Sequence, residues 1–160
     1  MGPVRLATGP QPIIRRARGS DAPALTLLAL RAKAVWGYDA AFIAACRDEL
    51  TLTADDLERH PTYLLKGKDG PIGHYQLRLR ARIADVWHCF VAPEAMRAGL
   101  GRRLWQHLEH TAHAAGATRL EVDSDPHAEG FYLAMGMSRR GAAPSGSIPG
   151  RMLPHLVKAL

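Results

Sequence analysis

A glycine-bearing turn at residues 96–103, Met-Arg-Ala-Gly-Leu-Gly-Arg-Arg, is the stretch whose residue types point most directly to chemistry. An apolar run typical of a β-strand precedes it at residues 86–91, and a helical pattern follows it as far as Gly116. The first N–H groups of a helix lack intrahelical partners and the helix dipole is positive there, so this arrangement suits a phosphate group. We therefore predict an anion site formed by Met96, Arg97, Ala98, Gly99, Leu100, Gly101 and Arg102.

Neither of two better-known phosphate motifs fits this turn. The P-loop requires Gly-Lys-Ser/Thr, whereas Gly101 is followed here by Arg102 and Arg103. The dinucleotide fingerprint requires a regular parallel strand–helix–strand unit, and the strands predicted upstream of the turn are antiparallel. Taken alone, the turn leaves two interpretations open: a pyrophosphate site, or a helix that merely begins at a glycine-rich loop.

A second segment, residues 125–137, reads Asp-Pro-His-Ala-Glu-Gly-Phe-Tyr-Leu-Ala-Met-Gly-Met. Together with the turn, it resembles the GCN5-related N-acetyltransferase (GNAT) superfamily. In that family a turn of the form Arg/Gln-x-x-Gly-x-Gly/Ala binds the pyrophosphate of acetyl-CoA, and a later segment reads roughly Asn-x-x-Ala-x-x-Phe-Tyr-x-x-x-Gly-Phe. The sequence matches these patterns at Gly99, Gly101, Ala128, Phe131, Tyr132 and Gly136, and departs from them at Met96, Asp125 and Met137.

The resemblance extends over the chain from Ile13 onward, because the order of the elements also matches. It implies a V-shaped gap between the strands that end near Val91 and Val122, with acetyl-CoA lying in that gap. The backbone of Cys89, Phe90 and Val91 would then pair with the pantetheine arm, and an N–H group there would hold the thioester carbonyl during direct attack by an amine. The later segment would contribute further coenzyme contacts from Asp125, Ala128, Phe131 and Tyr132.

Two residues are candidates for moving protons. In the GNAT family a tyrosine hydroxyl lies near the CoA sulfur and protonates the leaving thiolate, so the resemblance implies that Tyr132 is a general acid. A tyrosine that packs its ring in the core is the alternative. His88 lies on the strand predicted to line the gap, and its titration range suits a general base. A strand histidine facing a helix or solvent fits the pattern equally, and Asp85, Glu49 or water are other candidates for the base.

Aromatic residues mark the predicted acceptor side of the gap. Trp36 and Tyr38 lie where the first two predicted helices meet, beside the acceptor pocket of GNAT folds, and would form a wall for an amine. Core packing is the alternative for both. His74 and Tyr75 are neighbours on a predicted strand and face opposite sides, so one of them would point toward the acceptor, with His74 as the candidate. Asp123 and Asp125 end a strand at the same rim of the gap, and capping of the helix that starts near His127 is the alternative for either.

Periodicity and turn signals predict the elements that position these residues. A first strand at residues 12–16 is followed by helices that begin near Asp21, Asp39 and a capping box at Thr53. Alternating strands fill residues 62–91, and after the turn come a long helix, a strand, a short helix and two last strands. This order predicts an α+β fold with a mixed, mostly antiparallel sheet of about seven strands, and the GNAT resemblance adds helices on both faces. Residues 12–160 are predicted to form a single domain, and residues 1–11 a flexible lead.

Composition restricts the class of protein. The net charge of +6 comes from basic residues scattered over the 160-residue chain, which argues against nucleic acid as the main partner. No apolar run reaches the roughly 20 residues of a membrane span. Since the N-terminus also lacks the apolar core of a signal peptide, we expect a cytoplasmic protein. Cys46 and Cys89 are predicted to be buried free thiols, and no spacing of cysteine and histidine suggests a metal site.

The sequence as a whole predicts an N-acetyltransferase that moves an acetyl group from acetyl-CoA to the primary amine of a small molecule, without a metal. Three alternatives remain: a GNAT protein acting on a protein or aminoacyl-tRNA amine, a non-catalytic acyl-CoA-binding protein, and an unrelated phosphate-binding module. The sequence leaves open the acceptor, the length of the acyl group and the possibility of a homodimer.

Overall fold

The computed structural model of the chain describes residues 12–160, and the predicted flexible lead at residues 1–11 lies outside them. The strands are β1 Ile13–Arg16, β2 Thr62–Gly67, β3 Gly70–Arg80, β4 Ile83–Val91, β5 Arg119–Asp123, β6 Ser138–Pro144 and β7 Met152–Ala159. The α-helices are α1 Ala22–Ala34, α2 Ala40–Leu50, α3 Ala54–Arg59, α4 Leu100–Ala114 and α5 Glu129–Ala134. The strands form one seven-stranded sheet in the order β1-β2-β3-β4-β5-β7-β6, which confirms the predicted α+β class.

The sheet is antiparallel except where β4 meets β5. These two strands are parallel and pair only over residues 83–85 and 119–121, after which they separate. The register of β4 against β3 shifts at the same place, because His88 pairs with Gln76 whereas Val86 pairs with Leu77. Trp87 is thus an extra residue in β4, and such a bulge bends a strand away from its neighbour. The gap implied by the resemblance therefore exists between β4 and β5.

Helix starts follow the local signals in the sequence. Asp39 accepts a hydrogen bond from the backbone of the first turn of α2, and Thr53 and Asp56 form the predicted capping box of α3. Such caps each contribute about 1 kcal/mol of helix stability. Asp21 precedes α1 as predicted but makes no capping bond there. Its carboxylate instead pairs with the guanidinium of Arg15 at 2.9 Å, which ties β1 to the start of α1.

The core has one layer on each face of the sheet. Leu64 and Leu65 are adjacent on β2 and fully buried, but they belong to different apolar clusters. Leu65 packs on the side of α4 and α5, and Leu64 on the side of α1 and α3, since successive strand residues point to opposite faces. Helices therefore cover both faces, as predicted. The larger cluster contains Tyr75, Leu77, Leu104, Trp105, Leu108, Tyr132 and Leu156.

The two cysteines are free thiols, with Cys46 buried and Cys89 partly buried. Cys46 belongs to a small cluster between α1 and α2, and Cys89 packs against the larger cluster from β4. Within residues 12–160, every helix is too short or too polar to cross a bilayer.

Candidate active site

A cleft of about 680 Å³ opens where β4 and β5 separate. Its walls come from these two strands, the ends of α1 and α2, helix α5 and the loop at residues 144–146. The residues predicted from the sequence that line it are Trp36, Glu49, Asp85, His88, Cys89, Phe90, Val91, Met96, Arg97, Gly101, Asp123, Asp125, Ala128, Phe131 and Tyr132. The predicted residues that do not line it are Tyr38, His74, Ala98, Gly99, Leu100 and Arg102.

One edge of β4 is unpaired along this cleft. Cys89, Phe90 and Val91 pair with β3 on one side. On the other side β5 pairs with β4 only at residues 83–85, so within residues 12–160 no strand covers the edge from residue 86 to residue 91. An unpaired edge presents N–H and C=O groups that can bond to an extended chain. An amide-bearing arm can therefore lie in this gap as an added strand.

The glycine turn has a left-handed backbone at two positions. Arg97 has φ 68° and Gly99 has φ 76°, values that glycine adopts freely and that cost a side-chain-bearing residue about 1 kcal/mol. Gly99 stands immediately before α4, and no side chain caps this helix. The first N–H groups of α4 are therefore available to an anion, and Met96 and Arg97 line the cleft beside them.

Gly101 brings the two sequence motifs into contact. A Cβ atom at this position would lie 3.3 Å from Cε2 of Phe131, which is closer than side chains normally pack. The missing side chain therefore allows the first turn of α4 to pack against α5. The glycine turn and the segment that carries Tyr132 therefore meet at this point.

Tyr132 is 6% exposed and lies on the wall of the cleft. Its ring packs edge-on against Trp105, with ring centres 5.6 Å apart, and against Phe131 at 5.4 Å. Burial raises the pKa of its hydroxyl well above the ordinary value, with smaller contributions from Cys89 and Asp125 nearby. The hydroxyl therefore stays protonated at neutral pH and can act as a hydrogen-bond donor toward the cleft.

His88 and His74 form a buried pair. The Nδ1 atom of His88 lies 3.1 Å from Nε2 of His74, and both rings are at most 2% exposed. Burial lowers the pKa of His88 to about 3, and burial together with His88 lowers the pKa of His74 well below its ordinary value. Both rings are neutral at physiological pH. Such a low pKa makes His88 a poor acceptor for the proton of an ammonium group, and His74 lies behind it, away from the cleft.

Asp125 lies at the centre of a polar cluster that joins the end of α1, the segment before α5 and the β6–β7 loop. Its carboxylate accepts hydrogen bonds from the hydroxyl of Tyr38 at 2.9 Å and from the Nζ of Lys33 at 3.2 Å. It also accepts the backbone N–H of His127 at 2.9 Å and lies 3.6 Å from Nη2 of Arg151. Because burial and the neighbouring carboxylate stabilise its neutral form, the pKa of Tyr38 rises to about 12. Tyr38 thus supports the cleft through Asp125 and does not line it.

Trp36 lies at the mouth of the cleft and is 37% exposed. Its ring stacks on that of His127, with the ring centres 5.4 Å apart and the planes 7° from parallel. The pair forms a flat aromatic surface at the cleft mouth. Tyr38, the other predicted aromatic, stacks instead on Phe42 at 4.0 Å.

A sequence profile of the acetyltransferase (GNAT) domain matches residues 37–143 of the chain. The chain belongs to the GNAT acetyltransferase family. The resemblance predicted from the two motifs is therefore confirmed. A search of curated proteins finds no significant match.

Solved GNAT structures share the fold over nearly the whole chain. A GCN5-related N-acetyltransferase from Rhodopseudomonas palustris is 23% identical with a TM-score of 0.76, covering 94% of this chain and 96% of its own. PaiA N-acetyltransferase from Thermoplasma acidophilum, solved with coenzyme A, is 16% identical with a TM-score of 0.75, covering 92% of this chain and 98% of its own. The ribosomal-protein-S18-alanine N-acetyltransferase from Escherichia coli is 21% identical with a TM-score of 0.64, covering 92% of this chain and 92% of its own. At these identities the likeness establishes the GNAT fold and does not identify the acceptor.

Part of the cleft in this GNAT protein is lined by charged residues outside the two motifs. Asp85 and Asp123 were candidates from the sequence, whereas Arg80, Glu121 and His155 were not. Arg80 bonds to Asp85 at 2.7 Å and also to Glu121, where β4 and β5 still pair. His155 bonds to Asp123 at 2.7 Å across the β5–β7 register. All five residues line the cleft. Alternation along β7 places His155 on the opposite face from the buried Leu156, but only the strand pairing brings it to Asp123.

Proposed function

We propose that this GNAT protein transfers the acetyl group of acetyl-CoA to the primary amine of a small molecule, and that residues 12–160 act as one catalytic domain. The observation that carries the proposal is the separation of β4 from β5, which leaves residues 86–91 with an unpaired edge close to the start of α4. A free strand edge suits the amide-bearing arm of CoA, and a free helix N-terminus suits its pyrophosphate.

In this proposal the coenzyme lies along two backbone surfaces. The pyrophosphate accepts hydrogen bonds from the N–H groups of residues 97–102, with the guanidinium groups of Arg97 and Arg102 adding charge. The pantetheine arm pairs with the free edge of β4 at Cys89, Phe90 and Val91. Met96, which replaces the arginine or glutamine of the family pattern, adds no charge, so backbone groups carry most of the recognition.

The chemical step is a displacement at the thioester carbonyl. The amine nitrogen forms a bond to the carbonyl carbon, the C–S bond breaks, and its electron pair goes to sulfur. An N–H group on the free edge of β4 stabilises the charge on the carbonyl oxygen. The protonated hydroxyl of Tyr132 donates its proton to the sulfur, and solvent restores it. The nitrogen gives up one proton as the neutral amide forms. Holding the two reactants together contributes up to about 7–11 kcal/mol to lowering the barrier.

The size of the cleft supports a small acceptor. Its volume of about 680 Å³ falls within the range of roughly 300–1,000 Å³ that is typical of small-molecule sites. The pantetheine arm fills part of it, which leaves room for a compact amine. The aromatic surface of Trp36 and His127 stands at the mouth of this space and supplies an apolar contact for the acceptor.

Loss of the thioester absorbance of acetyl-CoA, followed with a panel of primary amines, tests the proposed function. We expect amine-dependent release of CoA and saturable binding of acetyl-CoA in calorimetry. Tight binding without release of CoA by any amine would favour a non-catalytic acyl-CoA-binding protein. Absence of both binding and release would overturn the assignment of the cleft to acetyl-CoA.

The variant Tyr132→Phe tests the general acid. It keeps the buried ring but removes the hydroxyl, so turnover should fall by about 100-fold or more while the affinity for acetyl-CoA stays within a few-fold. Tyr63→Phe is the matched control, because Tyr63 is a partly buried tyrosine on β2 that does not line the cleft. Equal turnover in the wild type and Tyr132→Phe would remove Tyr132 from the mechanism.

A further inference from the structure

An alkylamine acceptor is protonated at neutral pH and must lose a proton before its nitrogen can attack a thioester. The proposed function therefore needs a group on the acceptor side of the cleft that takes this proton. His88 does not suit the task, because it is only 2% exposed and its Nδ1 atom is bonded to His74. The base must therefore be another side chain on the cleft wall, one that can both accept a proton and reach the acceptor.

His155 has both. It lies on β7 with 29% of its side chain exposed, and it lines the same cleft as Tyr132. Its Nδ1 atom lies 2.7 Å from Oδ1 of Asp123, its partner in the β5–β7 register. A carboxylate on Nδ1 orients the imidazole ring and fixes the proton on that nitrogen, which leaves Nε2 as the atom able to accept a proton.

The charges around His155 are arranged in two layers. Asp123 and Glu121 approach it from β5, the latter with Oε1 at 3.5 Å from Nε2. Glu121 is in turn paired with Arg80 from β3 and Arg119 from β5, and Arg80 also pairs with Asp85 from β4. The described part of the chain shows no charged contact to His155 from β6. The hydrogen bond that Nδ1–H of His155 donates to Asp123 is the largest contribution and raises the pKa of His155 above its ordinary value, whereas burial opposes it.

We propose that His155, oriented by Asp123, is the general base of the acetyl transfer, an inference that rests on the proposed function. The Nε2 atom of His155 takes one proton from the ammonium group of the acceptor and later releases it to solvent. The neutral amine then attacks the thioester carbonyl. When the C–S bond breaks, Tyr132 protonates the sulfur, and the second nitrogen proton leaves as the amide forms. The products are the acetylated amine, free CoA and one proton.

His155 and Tyr132 line the same cleft, and so do Asp123 and Asp125. Asp125 is two residues from Asp123 along the chain, so their Cα atoms are at most about 7 Å apart. Asp123 in turn holds His155. An amine bound between them can present its nitrogen to both the base and the thioester.

The test compares two amines that differ in protonation. n-Butylamine is an ammonium ion at pH 7, and 2,2,2-trifluoroethylamine is already neutral. We expect His155→Gln to lower kcat/KM for n-butylamine by about 100-fold or more. For trifluoroethylamine the change should stay within a few-fold, because no base is needed. Acetyl-CoA binding, measured by calorimetry, should be unchanged and would show that the variant is folded. His113→Gln, an exposed histidine at the end of α4, is the matched control.

The pH profile separates a base from a structural histidine. For n-butylamine, wild-type kcat/KM should rise as His155 loses its proton and then level off. In His155→Gln it should keep rising toward the pKa of the free amine. In Asp123→Asn the rise of kcat/KM should occur at lower pH than in the wild type, because Asp123 raises the pKa of His155. The plateau of kcat/KM should be about 10-fold lower. Equal losses of kcat/KM for both amines, or the same rise of kcat/KM with pH in His155→Gln as in the wild type, would overturn the role of His155 and leave the proposed function standing. Absence of CoA release by the wild type with every amine would instead overturn the proposed function.

Discussion

Replacement of Asp125 by asparagine should destabilise the protein by removing the negative charge that holds Lys33 and Arg151 beside the cleft. The carboxylate lies 3.2 Å from Nζ of Lys33 and 3.6 Å from Nη2 of Arg151. The Asp125→Asn side chain keeps an oxygen for the hydroxyl of Tyr38 and the N–H of His127. The substitution therefore removes charge and leaves the neutral hydrogen bonds, although the GNAT pattern itself carries asparagine at this position.

The magnitude follows from the burial of the three charged groups. The side chain of Asp125 is 12% exposed, that of Lys33 14% and that of Arg151 18%, so solvent screens the pairs little. A hydrogen bond to a charged group contributes about 1.5–3 kcal/mol. The two cations can regain part of their hydration by moving outward. We therefore expect a loss of about 2 kcal/mol, which for a chain of this size lowers Tm by about 4–8 °C.

The same cluster predicts a dependence on pH. Burial alone would raise the pKa of Asp125, but the N–H of His127 and the charge of Lys33 outweigh it, so its pKa is lowered. A carboxyl with a lowered folded pKa contributes stability that is complete above its unfolded pKa of about 3.9. That contribution is lost as the pH falls through the lower, folded value. The difference between wild type and Asp125→Asn should therefore be full at pH 7 and shrink below about pH 4.

Urea unfolding followed by circular dichroism at pH 7 measures the effect. Asp69→Asn, in the exposed turn between β2 and β3, is the matched control and should change the free energy of unfolding by less than about 0.5 kcal/mol. Equal stability of Asp125→Asn and wild type at pH 7 would show that the cluster contributes no net stability. A loss as large in Asp69→Asn would show that the effect is not local to the cluster.

Three further predictions concern the turn and the histidine pair. Gly99→Ala should lower the free energy of unfolding, measured in urea, by about 1 kcal/mol, because its φ of 76° is strained for alanine. No atom lies within 4 Å of the new Cβ, so the loss comes from the backbone and not from a clash. A shift of the turn to relieve this strain should also weaken CoA binding in calorimetry. Gly101→Val should cost about 1–3 kcal/mol through contact with Phe131, and Phe131→Leu in the same chain should restore part of it; additive losses in urea unfolding would contradict the contact. Proton NMR should show the rings of His74 and His88 neutral throughout pH 5–8, and titration of either within that range would refute the burial argument.

The sequence by itself determined the elements and the two motifs. Alternation and turn signals are local, so they located β2, β3 and β4, and capping residues such as Asp39 and Thr53 marked the helix starts correctly. The glycine pattern at Gly99 and Gly101 indicated the family. The left-handed φ at Gly99 is a local property of the turn, which is why it is readable without the fold. The reason for Gly101 is a tertiary one, because the side chain of Phe131 from α5 occupies the space beside it.

Tertiary structure decided what lies opposite what across the cleft. The pairing of β4 with β5 ends after three residues on each strand, and no local signal in either strand states where a parallel partner will leave it. Register across β5 and β7 placed His155 on Asp123, and burial by β3 and α2 turned His88 from a suitable base into a neutral core histidine. Tyr38 bonds to Asp125 from 87 residues away. Charge, burial and access depend on how the whole chain packs, so the sequence alone could not determine them for the residues that line the cleft.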